Sequence, residues 1–331
     1  MKGLSLALAI VVAISIAALC LGKFIISPFD VWDVIWARFS GERLNADPTA
    51  DIVIFQIRLP RILAALLVGA ALAAAGATFQ GMFRNPLVSP DILGVSAGAS
   101  LGAILGIFFS LPILFIQGLA FVGGLATVAL VMAIGAAVRR HDTVLVLVLV
   151  GIAVETLLAA AISLIKILAD PYNQLPAITY WLLGSLTGVD RGDLVSILIP
   201  ILIGLAPLYL FRWRLNLLTL GEDEARALGV DTRKLRLLFI VCATLITSAA
   251  VSVSGIIGWV GLLIPHMARF LVGPDFSRLL PASLLLGGGY LVLVDTLART
   301  IAGIEVPLGI LTAVIGAPFF LWLLATRERG W

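Results

Sequence analysis

Apolar residues along this chain fall into ten long runs separated by short polar punctuation. The runs occupy 3–22, 60–82, 92–110, 112–138, 144–168, 193–211, 236–254, 256–271, 279–300 and 306–325. Their lengths lie near the ~17–25 residues that carry a helix across a bilayer, so the pattern predicts an all-α membrane protein with ten spans. The eighth run is short and rich in glycine. A further stretch, AITYWLLGSLTG at 177–188, is too short to span and reads as a re-entrant or interfacial helix. The segment 27–57 carries Trp32, Trp36 and Phe39 and looks interfacial, its rings at headgroup level. The first run, after Lys2, is longer than the roughly 7–15 residues of a signal-peptide core, and Leu19 before Cys20 is a poor processing residue. It reads as a retained first helix.

Polar residues then set the orientation. With the N-terminus inside, 14 of the 22 lysines and arginines fall in inner loops and 8 outside. The positive-inside bias therefore puts both termini in the cytoplasm. Within the runs, VGAALAAAGATFQG and GVSAGASLGAILG present Gly, Ala and Ser at four-residue spacing, which lets helix backbones approach closely in lipid. Nothing marks an internal boundary, so residues 1–331 read as one transmembrane domain.

Composition narrows the classes. Hydrophobic residues make up 61% and charged residues 12%, against about 45–50% and about 25% in soluble domains. A net charge of +3, dispersed along the chain, gives no reason to invoke nucleic acid. Cys20 and Cys242 lie in apolar runs and read as small hydrophobes. Two histidines are too few for a metal site, and no phosphate-binding G-x-x-x-x-G-K-[ST] occurs. GVSAG does match G-x-S-x-G, which makes Ser96 a formal nucleophile with His266 as base; no oxyanion or orienting group accompanies them. Secondary transport is another class, but it usually needs several intramembrane ionisable groups, and the runs offer essentially one, Glu155.

The most charged stretch is LTLGEDEARALGVDTRKLRL, 218–237, with four acids and four bases between two apolar runs. Gly221 and Gly229 bracket a short amphipathic helix with Ala225 and Leu228 on one apolar stripe. On a cytoplasmic face such a helix has no partner in lipid; its natural use is docking a soluble protein, the plain alternative being a solvated loop.

The stretch RLPRILAALLVGAALAAAGATFQGMFRNPLVSPDILGVSAGA resembles the signature of the FecCD family of ABC-importer permeases. YWLLGSLTGV, LGEDEARALGV, GWVGLLIPHMARFLVGPD and PLGILTAVIGAPFFLWLL match it further, in order, from residue 50 onward. The resemblance implies ten spans per subunit in the cytoplasmic (inner) membrane of a bacterium or archaeon. It also implies a second permease copy or paired homologue around a central pathway, a cytoplasmic ABC ATPase dimer holding ATP and magnesium, and an external substrate-binding protein. The permease itself is then not an enzyme and binds no cofactor of its own. The cargo is an iron chelate (siderophore or haem), with cobalamin or molybdate as alternatives.

Residue roles follow from the same resemblance. Glu224, Ala225, Leu228 and Gly229 hold positions of the coupling helix that fits a groove on the ATPase. Arg58, Arg61 and Arg299, on the outer side against the charge trend, meet acidic groups of the binding protein; snorkelling to lipid phosphate is the alternative. Asn85 and Leu87 narrow the inner mouth, joined by Thr143, unless RNPLVSP is a plain turn. Glu155, near mid-bilayer, departs from the family pattern. It either borders the pathway beside its copy in the second subunit or is a protonated group bonded to a neighbouring helix.

Overall fold

The computed structural model describes residues 2–40, 48–138, 143–218 and 222–326, and among these every regular element is helical. Helices α1 (Lys2–Cys20), α2 (Pro28–Ser40) and α3 (Pro48–Ile52) lead through a π-helical turn, Val53–Arg58, into α4 (Leu59–Phe83). A 3₁₀ turn, Pro90–Leu93, precedes α5 (Val95–Phe108), α6 (Ile113–Ala137), α7 (Thr143–Leu168), α8 (Gln174–Leu182) and α9 (Arg191–Leu210). After α10 (Arg212–Leu218) and α11 (Glu222–Ala227) come α12 (Thr232–Ser254), α13 (Val260–Val272), α14 (Phe276–Thr300) and α15 (Leu308–Thr326).

All ten apolar runs are thus helical. Six helices are long and apolar enough to cross a membrane: the one ending in α4, then α6, α7, α9, α12 and α14. Four more, α1, α5, α13 and α15, are apolar but shorter. At 1.5 Å per residue, α5 and α13 reach only ~20 Å, short of a hydrocarbon core of ~30 Å. α13 is short because the chain runs unwound from Gly255 to Gly258 before it begins.

α4 is the hub. Its apolar window is 78% buried, against 22–28% for α6, α7 and α9, so α4, α12 and α14 form the interior and the others the periphery. Small residues explain this position. A Cβ placed on Gly69 would collide with the Gly287 carbonyl of α14, and one on Gly76 with the Gly261 carbonyl of α13. Backbones meet directly at both crossings, the packing that small residues permit where lipid gives helices no hydrophobic drive to associate.

The aromatic segment after α1 is helical. α2 turns Val31 and Val34 inward onto Ile26, Ala50 and Ile54, and leaves Phe29, Trp32 and Trp36 exposed. The two indoles stack 6.2 Å apart. The short piece near 177–188 is helical as α8, which is too short to span.

Candidate functional site

The three arginines expected on the outer side are largely buried within their own chain. Arg58, Arg61 and Arg299 are only 4–7% exposed. Arg61 donates from Nε to Asp295 at 2.9 Å and pairs with Glu305 at 3.0 Å. Arg299, one turn after Asp295 on α14, donates to its other oxygen at 3.1 Å. The α1 C-terminus, which has no basic residue in its own last turn, is capped by the same cluster. Arg58 donates to the Leu19 and Phe24 carbonyls, and Arg299 to those of Leu21 and Ala18. Free carbonyls at a helix end favour cations, and here they come from α14 and the π turn before α4. Within the chain, these three guanidinium groups are thus satisfied by carbonyl and carboxylate oxygens.

Glu305, in the connection after α14, ties the cluster to the connection before α9. It accepts from the Thr187 hydroxyl at 2.5 Å. Burial works against its ionisation, yet the Thr187 hydrogen bond and the Arg61 charge outweigh that and hold its pKa below the ordinary carboxylate value.

At the opposite end of α4, the RNPLVSP stretch forms a tight turn. The Asn85 side-chain oxygen accepts from the Leu87 N–H at 2.9 Å, an Asx turn that Pro86 pre-shapes. Asn85 and Leu87 are both exposed. Arg84, left-handed at φ 49°, caps α4, and its Nε donates to the Leu218 carbonyl at 3.1 Å. The turn is thereby bonded to the end of α10, which is the threshold of the charged segment. Thr143 opens α7; its side chain lies outside the described residues.

In the charged segment the helix is six residues long and ends at Ala227. Gly229, at φ +78°, and the bond from Val230 N–H to the Ala225 carbonyl at 3.1 Å form a Schellman-type stop. This ending divides the expected stripe: Ala225 is fully buried in its own subunit, while Leu228 is 61% exposed. Glu224 is exposed beside it. Asp231 then caps α12, accepting from the Lys234 N–H at 3.1 Å. Gly221 lies outside the described residues.

Glu155 is exposed on α7, so no helix of its own chain buries it; that removes burial against a neighbouring helix of the same chain. Thr156 and Ser163 share the exposed stripe. Gly151, one turn earlier, packs directly on the Ile92 carbonyl of the 3₁₀ turn. In that turn Asp91 accepts from the Ser96 hydroxyl. The His266 ring, on α13, meets Phe270 edge-on, centroids 5.1 Å apart.

Sequence reasoning missed Asp91, Asp295, Glu305 and Arg84. It also counted essentially one ionisable group within the bundle, whereas Asp295, Arg61 and Arg299 lie there too. The four-residue spacing of Asp295 and Arg299 was the one legible sign.

Long apolar helices and half-length helices beside an unwound stretch define a polytopic membrane protein. The FecCD transport family model matches residues 8–326, and the chain belongs to that family. It is therefore an ABC-importer permease, a transport component and not an enzyme. The molybdate import system permease protein MolB of Haemophilus influenzae is 42% identical over 99% of this chain and 96% of that protein. A probable iron chelatin transport system permease of Helicobacter pylori is 44% identical over 85% of this chain and 84% of its own. A solved structure described as an inward-facing metal-chelate type ABC transporter superposes with TM-score 0.89 at 39% identity, covering 98% of this chain and 99% of that one.

Proposed function

We propose that this permease imports an iron chelate, a siderophore complex or haem, handed over by an external binding protein and driven by two partner ATPases that hold ATP and magnesium. Family membership over residues 8–326 is the observation that carries the reading. Ten helices span on this view: α1, α4 to α7, α9 and α12 to α15. Both termini are then cytoplasmic, and α11 lies on the cytoplasmic face. Leu228 and Glu224 are the surface offered to the ATPase, Gly229 stops the helix so that Leu228 turns outward, and Ala225 seats the helix on its own subunit. Asn85 and Leu87 narrow the inner mouth, with Thr143 beside them. A second copy of the chain completes the pathway, and the exposed stripe of α7 faces it.

Docking of the binding protein at Arg58, Arg61 and Arg299 requires its acidic groups to compete with Asp295 and Glu305. Glu305, being the more exposed carboxylate, is the one displaced.

Glu155 supports the choice of cargo. An exposed carboxylate on the pathway repels a bare oxyanion and tolerates a chelate carrying positive or polar groups. Molybdate is the second reading, favoured by the relative that spans 99% of the chain; cobalamin follows from the family resemblance. Proteoliposomes holding the permease, its ATPase and its binding protein decide between them. ATP-dependent uptake of radioiron-loaded siderophore or haem supports the proposal. Uptake of radioactive molybdate alone overturns the cargo, and uptake without the ATPase overturns the importer class.

A further inference from the structure

Pro265 lies inside α13. Its ring nitrogen carries no hydrogen, so the carbonyl of Gly261, four residues earlier, is denied its donor within the helix. Gly261 is buried, and a buried carbonyl left without a donor is unfavourable. The donor comes from α4. Gln80, 2% exposed, sends its side-chain amide across the interface, and Nε2 donates to the carbonyls of Gly261 at 3.2 Å and Leu262 at 3.3 Å. Gly76, one turn earlier on α4, makes that reach possible. Its backbone lies so close to α13 that a Cβ there would collide with the Gly261 carbonyl.

Arg269 fixes which way the amide points. Its Nη1 donates to Gln80 Oε1 at 2.5 Å. A guanidinium has only donors, so the amide oxygen faces it and the NH2 group faces the carbonyls. Gly261 and Arg269 stand four residues before and four after the proline. One buried side chain of α4 thus grips α13 on both sides of Pro265.

The same residue is bonded to the inner turn. Its backbone carbonyl accepts from the Asn85 N–H at 3.2 Å. At the far end of that turn the Pro90 ring sits against Gly261, where an added Cβ would lie 3.1 Å from it. The turn is therefore held at one end by Gln80 and at the other by the residue whose carbonyl Gln80 satisfies.

We infer that Gln80 is a positioning residue for the inner mouth: it fastens α13 to α4 at the proline, so that a shift of α13 is passed to the turn carrying Asn85 and Leu87. The inference rests on the reading of that turn as the mouth. Pro265 is what creates the need for the strap, since an ordinary residue there would satisfy Gly261 from within the helix.

The full-length permease in complex with its ATPase tests this, with Cys20→Ala and Cys242→Ala to remove the native thiols and Leu87→Cys as the reporter. Labelling of position 87 by a charged maleimide, with and without ATP and magnesium, reports the mouth; thermal unfolding reports the fold. With Gln80 in place, labelling should differ several-fold between the two states. Gln80→Met, similar in size but without the amide, should lower the melting temperature and bring the two labelling rates together. Pro265→Ala returns an N–H to the Gly261 carbonyl. Added to Gln80→Met, it should recover the melting temperature yet leave the two rates equal, because the helix is mended but still untied from α4. This double variant carries the test if Gln80→Met alone fails to assemble. Recovery of both readouts in the double variant reduces Gln80 to a patch on the helix and overturns the positioning role, as does a full nucleotide response in Gln80→Met. A double variant no more stable than Gln80→Met overturns the part given to Pro265. A chain with Gln80 intact that shows no nucleotide response at position 87 overturns the mouth reading itself, and the inference with it.

Discussion

The Nε of Arg84 donates to the carbonyl of Leu218 across 3.1 Å, joining the last turn of α4 to the last residue of α10. Arg84 precedes the Asn85–Leu87 turn, and Leu218 precedes the charged segment. On the proposed function this one bond links the surface an ATPase would move to the mouth that cargo would cross. Arg84 is exposed, so its share of fold stability is small, about 0.5–1.5 kcal/mol. Arg84→Ala should therefore leave assembly intact and lower transport several-fold while ATP hydrolysis continues. The readout is the ratio of ATP split to cargo moved. An unchanged ratio removes the link.

Leu228 and Ala225 should part company on mutation, because one is outside and the other inside. Leu228→Asp puts a charge on an exposed position and should cut co-purification of the ATPase about tenfold or more, a loss of hot-spot size. The melting temperature of the permease should stay put. Ala225→Arg forces a cation into a fully buried site and should lower the yield of folded protein before docking is reached. Equal effects of the two on docking, with both proteins stable, would count against the division.

Asp295 pairs with Arg61 and Arg299 in the interior. Removing it leaves Arg299 without a carboxylate and Arg61 with Glu305 as its remaining counter-ion. Asp295→Ala should destabilise by about 3–5 kcal/mol, the range for breaking a buried ion pair. Arg61→Glu should likewise damage the fold, so a docking defect in that variant is interpretable only beside its stability. Replacing Arg61 and Asp295 together by Met and Leu should cost less than Asp295→Ala alone. Thermal unfolding in one fixed detergent measures all three. A double variant weaker than the single one would mean that the pair contributes more than its own mutual neutralisation.

That network also shows where sequence reading stops. Hydrophobic runs locate the helices because length and polarity are local properties, and the glycines around 221–229 announce a short helix. Which face of a uniformly apolar helix is buried is not local, since every face looks alike along the chain. Arg61 and Asp295 lie 234 positions apart, and only the Gly69–Gly287 crossing of α4 on α14 brings them together. Leu228 was set on one stripe with Ala225 by spacing alone, whereas the Gly229 stop turns it out of the helix.

Glu305 gives a pH dependence with a definite sign. Its pKa in the fold is held below the ordinary value of 4.5. Such a group stabilises fully above the unfolded value, and that contribution fades as pH falls through the lower folded value. The Thr187–Glu305–Arg61 tie should thus be intact at pH 7 and weaken only below pH ~4.5. Glu305→Gln should remove the acid-sensitive part of the melting curve between pH 5 and 3, where several other carboxylates still contribute. A variant that loses stability with acid just as the wild type does would place the sensitivity elsewhere, Asp275 being the first alternative because its hydrogen bonds, from Asn216 foremost, also lower its pKa.

Glu155 carries the last prediction. It stands exposed at the middle of α7, where a carboxylate facing hydrocarbon would cost about 2.5–3.5 kcal/mol on insertion scales. That cost argues for water or a second subunit beside it, and in a two-fold dimer the carboxylate would face its own copy. Glu155→Gln keeps shape and hydrogen bonding but removes charge. On the pathway reading it should slow uptake of a chelate several-fold, leave ATPase and binding-protein docking unchanged, and ease the entry of an oxyanion. If Glu155 serves the dimer contact alone, the same variant should transport normally and shift only the melting temperature or the dimer fraction. Uptake and dimer fraction, measured on one preparation, separate the two roles.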